Sequence, residues 1–254
     1  SNDAINRGLD CLTLFAKHLA TIPLSNIRIV ATATLRIAKN RNDFINRANT
    51  ILPLEIKLLS GVQEAETIYS GVAHTCKSNF DQKQLVIDIG GASTELIIGQ
   101  GFTANRTISL NLGCVSFREK YFTDGQLTEK NFTGAINAAS HIINPISADF
   151  SKFGWQSVVG SSGTIRALAE ILSFRQQEII ISESFLQEIK QALIDCKSIS
   201  NITFEGLRAD RTPVLASGLC ILIALFNCLQ IKELKLSTGA LREGLLYEML
   251  PFKN

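Results

Sequence analysis

The sequence predicts an α/β fold built from two units, and three observations carry this prediction. In residues 1–80, segments with helical spacing of apolar side chains alternate with short apolar strands, as in a wound α/β layer. From residue 85 onward, three apolar segments follow one another without a helix between them, which indicates an antiparallel meander. The 254 residues are 46% hydrophobic, which is enough apolar material for a sizeable core.

The first unit is assigned to residues 1–80 and the second to residues 81–240, and the closing segment 241–254 is expected to pack back on the first unit. The polar stretch at 77–83 is the best boundary candidate. The first unit is expected to contain helices at 4–20, 41–51 and 63–75 and strands at 27–30 and 54–59.

The second unit is expected to continue from the meander as alternating helices and strands. Its expected strands lie at 85–89, 95–99, 107–111, 157–159 and 234–236. Its expected helices lie at 115–121, 129–150, 163–173, 185–197 and 213–229, before a closing helix at 240–250. The long apolar run at 214–229 is shorter than the roughly 20 residues that span a bilayer, so we expect a buried core helix there.

Charge and cysteine usage exclude several classes of function. The formal net charge is +2 with acids and bases interspersed, so no basic footprint for nucleic acid or an anionic membrane is present. A polyanionic ligand must therefore be held by a local site. The six cysteines show neither a CxxC pair nor zinc-ligand spacing. We expect free structural thiols and a cytoplasmic location.

The segment LVIDIGGASTELII at 85–98 contains the strongest chemical signal. An aspartate interrupts an apolar strand, and a buried carboxylate is costly unless it is paired or holds a cation. Two glycines allow a tight turn with N–H groups close to an anion, and two hydroxyls and a second carboxylate follow. The pattern predicts a phosphate cradle beside a hard-cation site, whereas a plain hairpin would leave both carboxylates unexplained. The cradle residues are Asp88, Gly90, Gly91, Ser93, Thr94 and Glu95.

A second anion-binding pattern lies at 158–166, VVGSSGTIR. A buried strand runs into small residues and directly into a helix, so free N–H groups and the positive end of the helix dipole meet at the turn. The segment LSTGALREG at 236–244 repeats this order. Together these loops indicate a ligand held in a cleft between units.

The GxGxxG and GxxxxGK[ST] patterns are absent, which removes the main support for Rossmann and P-loop folds.

Five segments together resemble the exopolyphosphatase and guanosine pentaphosphate phosphatase (Ppx/GppA) family. They are ATATLRIAKN at 31–40, SGVQEAETIYSGVAHT at 60–75, DIGGASTEL at 88–96, GSSGT at 160–164 and LSTGALREGLLYEML at 236–250. The resemblance covers essentially the whole chain. It implies an actin-like fold of two ribonuclease-H-like domains, with Mg²⁺ and substrate phosphates in the cleft. Ala92, ATATLR and GVAHT are most similar to the guanosine pentaphosphate branch.

The resemblance also implies roles for particular residues. Glu64 matches the carboxylate that orients or deprotonates the attacking water, and Arg36 matches a basic residue of the substrate cleft. Asp88 and Glu95 match the metal-site carboxylates, and Glu95 also counts as catalytic. Periodicity alone leaves Glu64 open as a solvated helix face and Arg36 open as a surface ion pair. The phosphate-loop matches are Gly90, Gly91, Ser93, Thr94, Ser161, Ser162, Gly163 and Thr164.

The implied activity is Mg²⁺-dependent removal of the terminal 5′-phosphate of pppGpp to give ppGpp, with inorganic polyphosphate as the alternative substrate. A non-catalytic module that binds (p)ppGpp or polyphosphate is the alternative from another class. A sugar or acetate kinase of the same superfamily would need an adenosine pocket and an acceptor site, and no residues demand either. No nucleic-acid or membrane partner is expected, and a homodimer is left open.

One departure from the family pattern concerns the start of the sequence. Family members begin with a strand and phosphate loop of the form D-L-G-S-N-S, and nothing similar precedes the first helix here. We therefore expect a first domain without its N-terminal strands, in which the strands at 27–30 and 54–58 form a small sheet. This sheet should have an uncovered edge and an apolar helix face, a site of aggregation or of pairing with another chain. The 254-residue chain taken alone is expected to bind phosphate weakly and to hydrolyse nothing at a useful rate.

Overall fold

The computed structural model describes residues 1–76 and 81–250, and its strands form two separate sheets. Within these residues the helices are α1 (Asn2–Leu19), α2 (Ala33–Ile37), α3 (Arg41–Asn49), α4 (Gly61–Thr75), α5 (Cys114–Tyr121), α6 (Glu129–Phe153), α7 (Gly163–Phe174), α8 (Glu183–Cys196), α9 (Thr212–Leu229) and α10 (Leu241–Met249). The strands are β1 (Val30–Ala31), β2 (Lys57–Leu58), β3 (Gln84–Ile89), β4 (Thr94–Gln100), β5 (Thr103–Leu110), β6 (Ser157–Gly160), β7 (Ile180–Ser182) and β8 (Glu233–Leu236).

β1 and β2 form a small parallel sheet, in which Val30 pairs with Lys57 and Ala31 with Leu58. The expected small sheet is therefore present, although its strands are shorter than the sequence predicts. Each strand has one hydrogen-bonded neighbour, so both outer edges lack a partner strand among the described residues.

The buried side chains of α1 lie in its first half. Ile5 and Leu9 are buried in a cluster with Ala48 of α3 and Leu52. Phe15, which periodicity places on the same apolar face, is 57% exposed. This exposed side chain belongs to the uncovered apolar helix face that the sequence predicts.

β3, β4 and β5 form the predicted antiparallel meander, and the second sheet has the strand order β5-β4-β3-β6-β8-β7. β6 is parallel to β3 and to β8, whereas β7 is antiparallel at the far edge. β7 and α2 were not predicted, because three and five residues are too few to show a period. The carboxyl ends of β3, β6 and β8 meet at one edge, where the Gly-rich turns follow.

Side chains along β3 alternate between the two faces of this sheet. Leu85 and Ile87 lie in the large core formed with α6, α7 and α9. Val86 points to the other face, in a cluster with Ile68 of α4. Asp88 has the parity of Val86, so its carboxylate lies on the α4 side at the end of the strand.

α9 is the expected core helix. Its length and composition would suit a membrane span, but 72% of its most apolar 18-residue window is buried inside the protein. The expected free thiols are also found: all six cysteines are unpaired, with Cys114 and Cys220 buried and Cys11 exposed.

The division of the chain into two units stays a prediction. Residues 77–80 of the expected boundary and residues 251–254 of the closing segment lie outside the described residues. In the described part, α10 packs on α4, which sequence analysis assigns to the first unit. α4 in turn packs on the six-stranded sheet. α4, although assigned to the first unit, therefore packs on the sheet of the second unit.

Glycines let the backbones of α4 and α10 touch where the two helices cross. A Cβ at Gly71 would overlap the carbonyl oxygen of Ala240, and one at Gly244 would overlap that of Thr67. Thr67 Oγ1 also donates to Glu248 Oε1 across this crossing at 2.8 Å. This close approach holds α4, the helix that carries Glu64, against α10.

Gly71→Ala is expected to lower the free energy of unfolding by about 1–3 kcal/mol, because the added methyl group must push the two backbones apart. Gly134→Ala in α6 is the matched control, since its Cβ would meet only Tyr121 Cδ1 at 3.9 Å. The control should be neutral or more stable by about 0.5–1 kcal/mol through helix propensity. Urea denaturation of both variants measures the difference, and equal stabilities would contradict the tight crossing.

Candidate active site

Two carboxylates face each other across the hairpin between β3 and β4. Asp88 and Glu95 are partners in the antiparallel register, and Glu95 is only 1% exposed. The turn closes with Gly90 N donating to Ser93 O at 2.8 Å. The carbonyls of Gly90 and Gly91 accept hydrogen bonds from the first N–H groups of α5. The turn that positions the carboxylates is thus anchored on a helix.

Glu64 lies in the first turn of α4, whose start is stabilised by a capping box between Ser60 and Gln63. Its side chain is 8% exposed, and Oε2 lies 3.0 Å from Nη1 of Arg36, which is 24% exposed. Glu66 on the same helix is exposed. The solvated helix face and the surface ion pair that the sequence left open therefore do not describe this mostly buried pair.

A continuous chain of hydrogen bonds joins Glu64 to Glu95. Arg36 Nη2 donates to Ser109 Oγ at 3.4 Å, and Ser109 Oγ donates to Glu95 Oε1 at 2.7 Å. Ser93 Oγ donates to the same carboxylate oxygen at 2.6 Å. Sequence analysis missed Ser109, because a serine in an edge strand gives no signal until β5 is paired with β4.

Burial raises the pKa of both sheet carboxylates. The pKa of Asp88 rises to about 6, mainly through burial and then through the charge of Glu64, while the hydroxyl of Ser161 lowers it in part. The pKa of Glu95 rises to about 7, mainly through burial and then through Glu64, against two serine hydrogen bonds that lower it. Three carboxylates thus share one poorly solvated region, where a cation would relieve their repulsion.

The two predicted phosphate loops share a cavity of about 240 Å³ next to Asp88. Ser162 caps α7, and its Oγ accepts a hydrogen bond from Ile165 N at 3.2 Å. The buried hydroxyls of Ser161 and Thr164 have no well-aligned hydrogen-bond partner among the described residues. Free donors at a helix N-terminus suit an anion. The lining also includes Gly90, Gly91, Gly163 and Arg211.

Arg211, directly before α9, is the cavity residue that sequence analysis missed. Its guanidinium lies against Gly163, where any Cβ would overlap Nη1. Its Nε is buried without a hydrogen bond among the described residues, and the carboxylate of Asp210 is 3.9 Å from it. A guanidinium beside free hydroxyls suits phosphate oxygens. In the sequence, Arg211 stands in the polar segment GLRADRTP, and nothing there connects it to the distant loops.

Two expected phosphate contacts are directed elsewhere. The hydroxyl of Ser93 donates to Glu95 and that of Thr94 donates to the carbonyl of Leu112, so neither proton is free for a phosphate. Both residues support the turn and its carboxylates instead. The third loop, at 236–244, is also outside the cavity lining and packs on α4, because its glycine lies against the helix backbone.

Asp88 and Glu95 fit a divalent cation, although no cluster of three His, Cys, Asp or Glu side chains at metal spacing occurs in residues 1–76 and 81–250. Mg²⁺ usually keeps several waters and uses one or two carboxylates together with substrate phosphates. Both serine hydrogen bonds to Glu95 go to Oε1, which leaves Oε2 for a ligand. The hydroxyl of Ser161 lies near Asp88 and lowers the pKa of its carboxyl. This donor set suits Mg²⁺ at the mouth of a phosphate cavity.

Solved structures confirm the α/β fold class predicted from the sequence. The chain matches an exopolyphosphatase from Cytophaga hutchinsonii ATCC 33406 with a TM-score of 0.87 at 22% identity, over 98% of this chain and 82% of that one. It matches the type II variant of the Aquifex aeolicus Ppx/GppA phosphatase with a TM-score of 0.73 at 23% identity, over 98% and 84% of the two chains. At these identities the likeness concerns the fold.

Sequence relatives define the family. The model of the Ppx/GppA phosphatase family matches residues 1–253. The chain is 48% identical over 250 residues to the guanosine-5′-triphosphate,3′-diphosphate pyrophosphatase of Vibrio cholerae serotype O1 (strain ATCC 39315 / El Tor Inaba N16961). The matched region is 98% of this chain and 50% of that protein. The chain belongs to the Ppx/GppA phosphatase family. It spans about half the length of the curated relatives it matches.

Proposed function

We propose that the protein hydrolyses the terminal phosphoanhydride of the 5′-triphosphate in pppGpp, which releases phosphate and leaves ppGpp. The observation that carries this proposal is the buried Glu64 beside Asp88 and Glu95, next to a cavity with free phosphate-binding donors. The name of the Vibrio cholerae relative supports the choice of pppGpp among phosphoanhydrides. We place the activity in the cytoplasm, because the cysteines are free thiols.

In the proposed mechanism, Glu64 orients the attacking water and accepts its proton. Arg36 holds Oε2 of Glu64, so Oε1 is available to the water. Ser161, Thr164 and Arg211 donate to the oxygens of the transferred phosphoryl group, where negative charge is concentrated. These groups are held by helix termini and strand ends before substrate binds, so little reorganisation is needed.

Ppx/GppA phosphatases generally depend on a divalent metal, and we propose that Asp88 and Glu95 hold Mg²⁺ in this chain. When bound, the ion would neutralise charge on the transferred and leaving oxygens. The chain's own contribution is to keep both carboxylates buried and to orient Glu95 through its two serine partners.

Inorganic polyphosphate is the second candidate substrate. The cavity lining is partly apolar, through Ile89, Cys114, Ala167, Val214 and Leu215. Its polar part consists of hydroxyls, backbone at glycines, Asp88 and an arginine, and the lining among the described residues contains no aromatic ring. Its chemistry therefore addresses phosphate rather than a base, and a chain of phosphates would satisfy it as well as a nucleotide. A module that binds either ligand without turnover would use the same donors.

Phosphate release with Mg²⁺ from pppGpp and from long-chain polyphosphate, measured side by side on the longest natural form of the protein, tests the proposal. Because the Vibrio cholerae relative is named for this substrate, we expect conversion of pppGpp to ppGpp with a kcat/KM about tenfold above that for polyphosphate. Release from polyphosphate alone would favour the second candidate. Tight binding of pppGpp without phosphate release would identify a binding module instead.

A further inference from the structure

We propose that Ser109 is a positioning residue that connects the water-activating Glu64 to the metal-side carboxylate, an inference that rests on the proposed function. Its hydroxyl lies 3.4 Å from Arg36 Nη2 and 2.7 Å from Glu95 Oε1. Ser109 does not line the phosphate cavity. It therefore acts through its two neighbours rather than through contact with the substrate.

The direction of these hydrogen bonds follows from the groups involved. A guanidinium can only donate and a carboxylate can only accept, so the single proton of Ser109 must point to Glu95 while its lone pair faces Arg36. Nη1 of Arg36 meanwhile donates to Glu64 Oε2 and to the carbonyl of Leu59, both at 3.0 Å. Because the guanidinium is planar, its two ends cannot move independently. The orientation of Glu64 is thereby coupled to that of Glu95.

The backbone around Ser109 reinforces this coupling. Ser109 is the β5 partner of Glu95 in the sheet register. The first residue of α4, Gly61, lies so close that a Cβ there would be 2.5 Å from Ser109 Cβ and 2.9 Å from its Oγ. The first residue of α4, the helix that carries Glu64, therefore contacts Ser109. Ser109 is thus the residue of β5 at which α4 meets the hairpin that carries the carboxylates.

Ser109→Ala is expected to lower kcat about tenfold, which corresponds to about 1.4 kcal/mol, with KM changed less than about threefold. The loss falls on kcat because the substrate's phosphate donors lie elsewhere, in the cavity. Thr107→Val is the matched control: it removes a half-buried hydroxyl from the same strand and face, and Thr107 makes no side-chain hydrogen bond to the described residues. Its kcat should stay at the wild-type value.

A double-mutant cycle with Arg36→Lys separates positioning from mere packing. The lysine keeps the charge but has no second nitrogen that reaches Ser109, so Ser109→Ala should then cost less than about threefold in kcat. The shifts in the urea midpoint of the metal-free protein should likewise be non-additive when Ser109→Ala is combined with Arg36→Lys. They should be additive when Thr107→Val is combined with Arg36→Lys. This second measurement needs no turnover. If the wild-type protein released no phosphate but the urea midpoints were non-additive, the proposed function would be rejected and the connection through Ser109 would be kept. Additive midpoints for Ser109 and Arg36, or equal losses in Thr107→Val and Ser109→Ala, would overturn it.

Discussion

Glu64→Gln is expected to lower kcat for phosphate release by a factor of about 10² or more, the usual contribution of a positioned acid–base group. The amide keeps the size of the side chain, and its oxygen can still accept the hydrogen bond from Arg36 Nη1, so the fold should be retained. It cannot take a proton from water. KM for pppGpp should change little, because the phosphate is held by donors in the cavity.

Glu66→Gln is the matched control for this variant. Glu66 lies on the same helix but is exposed, and it forms no ion pair with the described residues. Its kcat should equal that of the wild type, and urea unfolding should show both variants folded. Near-normal turnover in Glu64→Gln would remove Glu64 from the mechanism and leave its pair with Arg36 as a structural contact. We expect Glu95→Gln to resemble Glu64→Gln in turnover.

Asp88→Asn is expected to abolish both phosphate release and measurable Mg²⁺ binding. A neutral amide supplies no charge to a hard cation, whereas the carboxylate stands at the mouth of the phosphate cavity. The fold should survive and even gain stability without metal, because the burial that raises the pKa of Asp88 to about 6 penalises its charged form. Calorimetric titration with Mg²⁺ alone measures binding independently of turnover.

Glu233→Gln is the control for the loss of a carboxylate from the same sheet. Glu233 begins β8 and is exposed, so its removal should affect neither Mg²⁺ binding nor phosphate release. If Asp88→Asn still hydrolysed substrate with ordinary Mg²⁺ dependence, its carboxylate would be structural and the cation would sit elsewhere.

Much of the fold was predictable because its elements have strong local patterns. The continuous apolar strand before Gly90, the meander after it and the apolar run that becomes α9 were all placed from the sequence. β7 was not, because three residues show no period. The exposed Phe15 agrees with the apolar helix face that was expected to be uncovered in the first unit.

The residues of the candidate site likewise divide into those with a local sequence pattern and those without one. The carboxylates Asp88 and Glu95 and the loop at 160–164 stood out because each interrupts a local pattern: charges in an apolar strand, or small residues between a strand and a helix. Glu64 was chosen by family resemblance, and it is distinguished physically from Glu66 by its burial and by its ion pair with Arg36. Arg211 had no local signal.

The sequence by itself determined the α/β class, the two Gly-rich turns and the pair of hairpin carboxylates, because periodicity and turn chemistry depend on residues a few positions apart. The tertiary structure decided which polar groups leave water and which partners they find. Arg36 bonds Glu64 from 28 positions away and Ser109 from 73. The same folding directs the protons of Ser93 and Thr94 inward and places the hydroxyls of Ser161 and Thr164 in the lining of the cavity. Burial and hydrogen-bond geometry arise only when distant segments pack, so no local pattern could specify them.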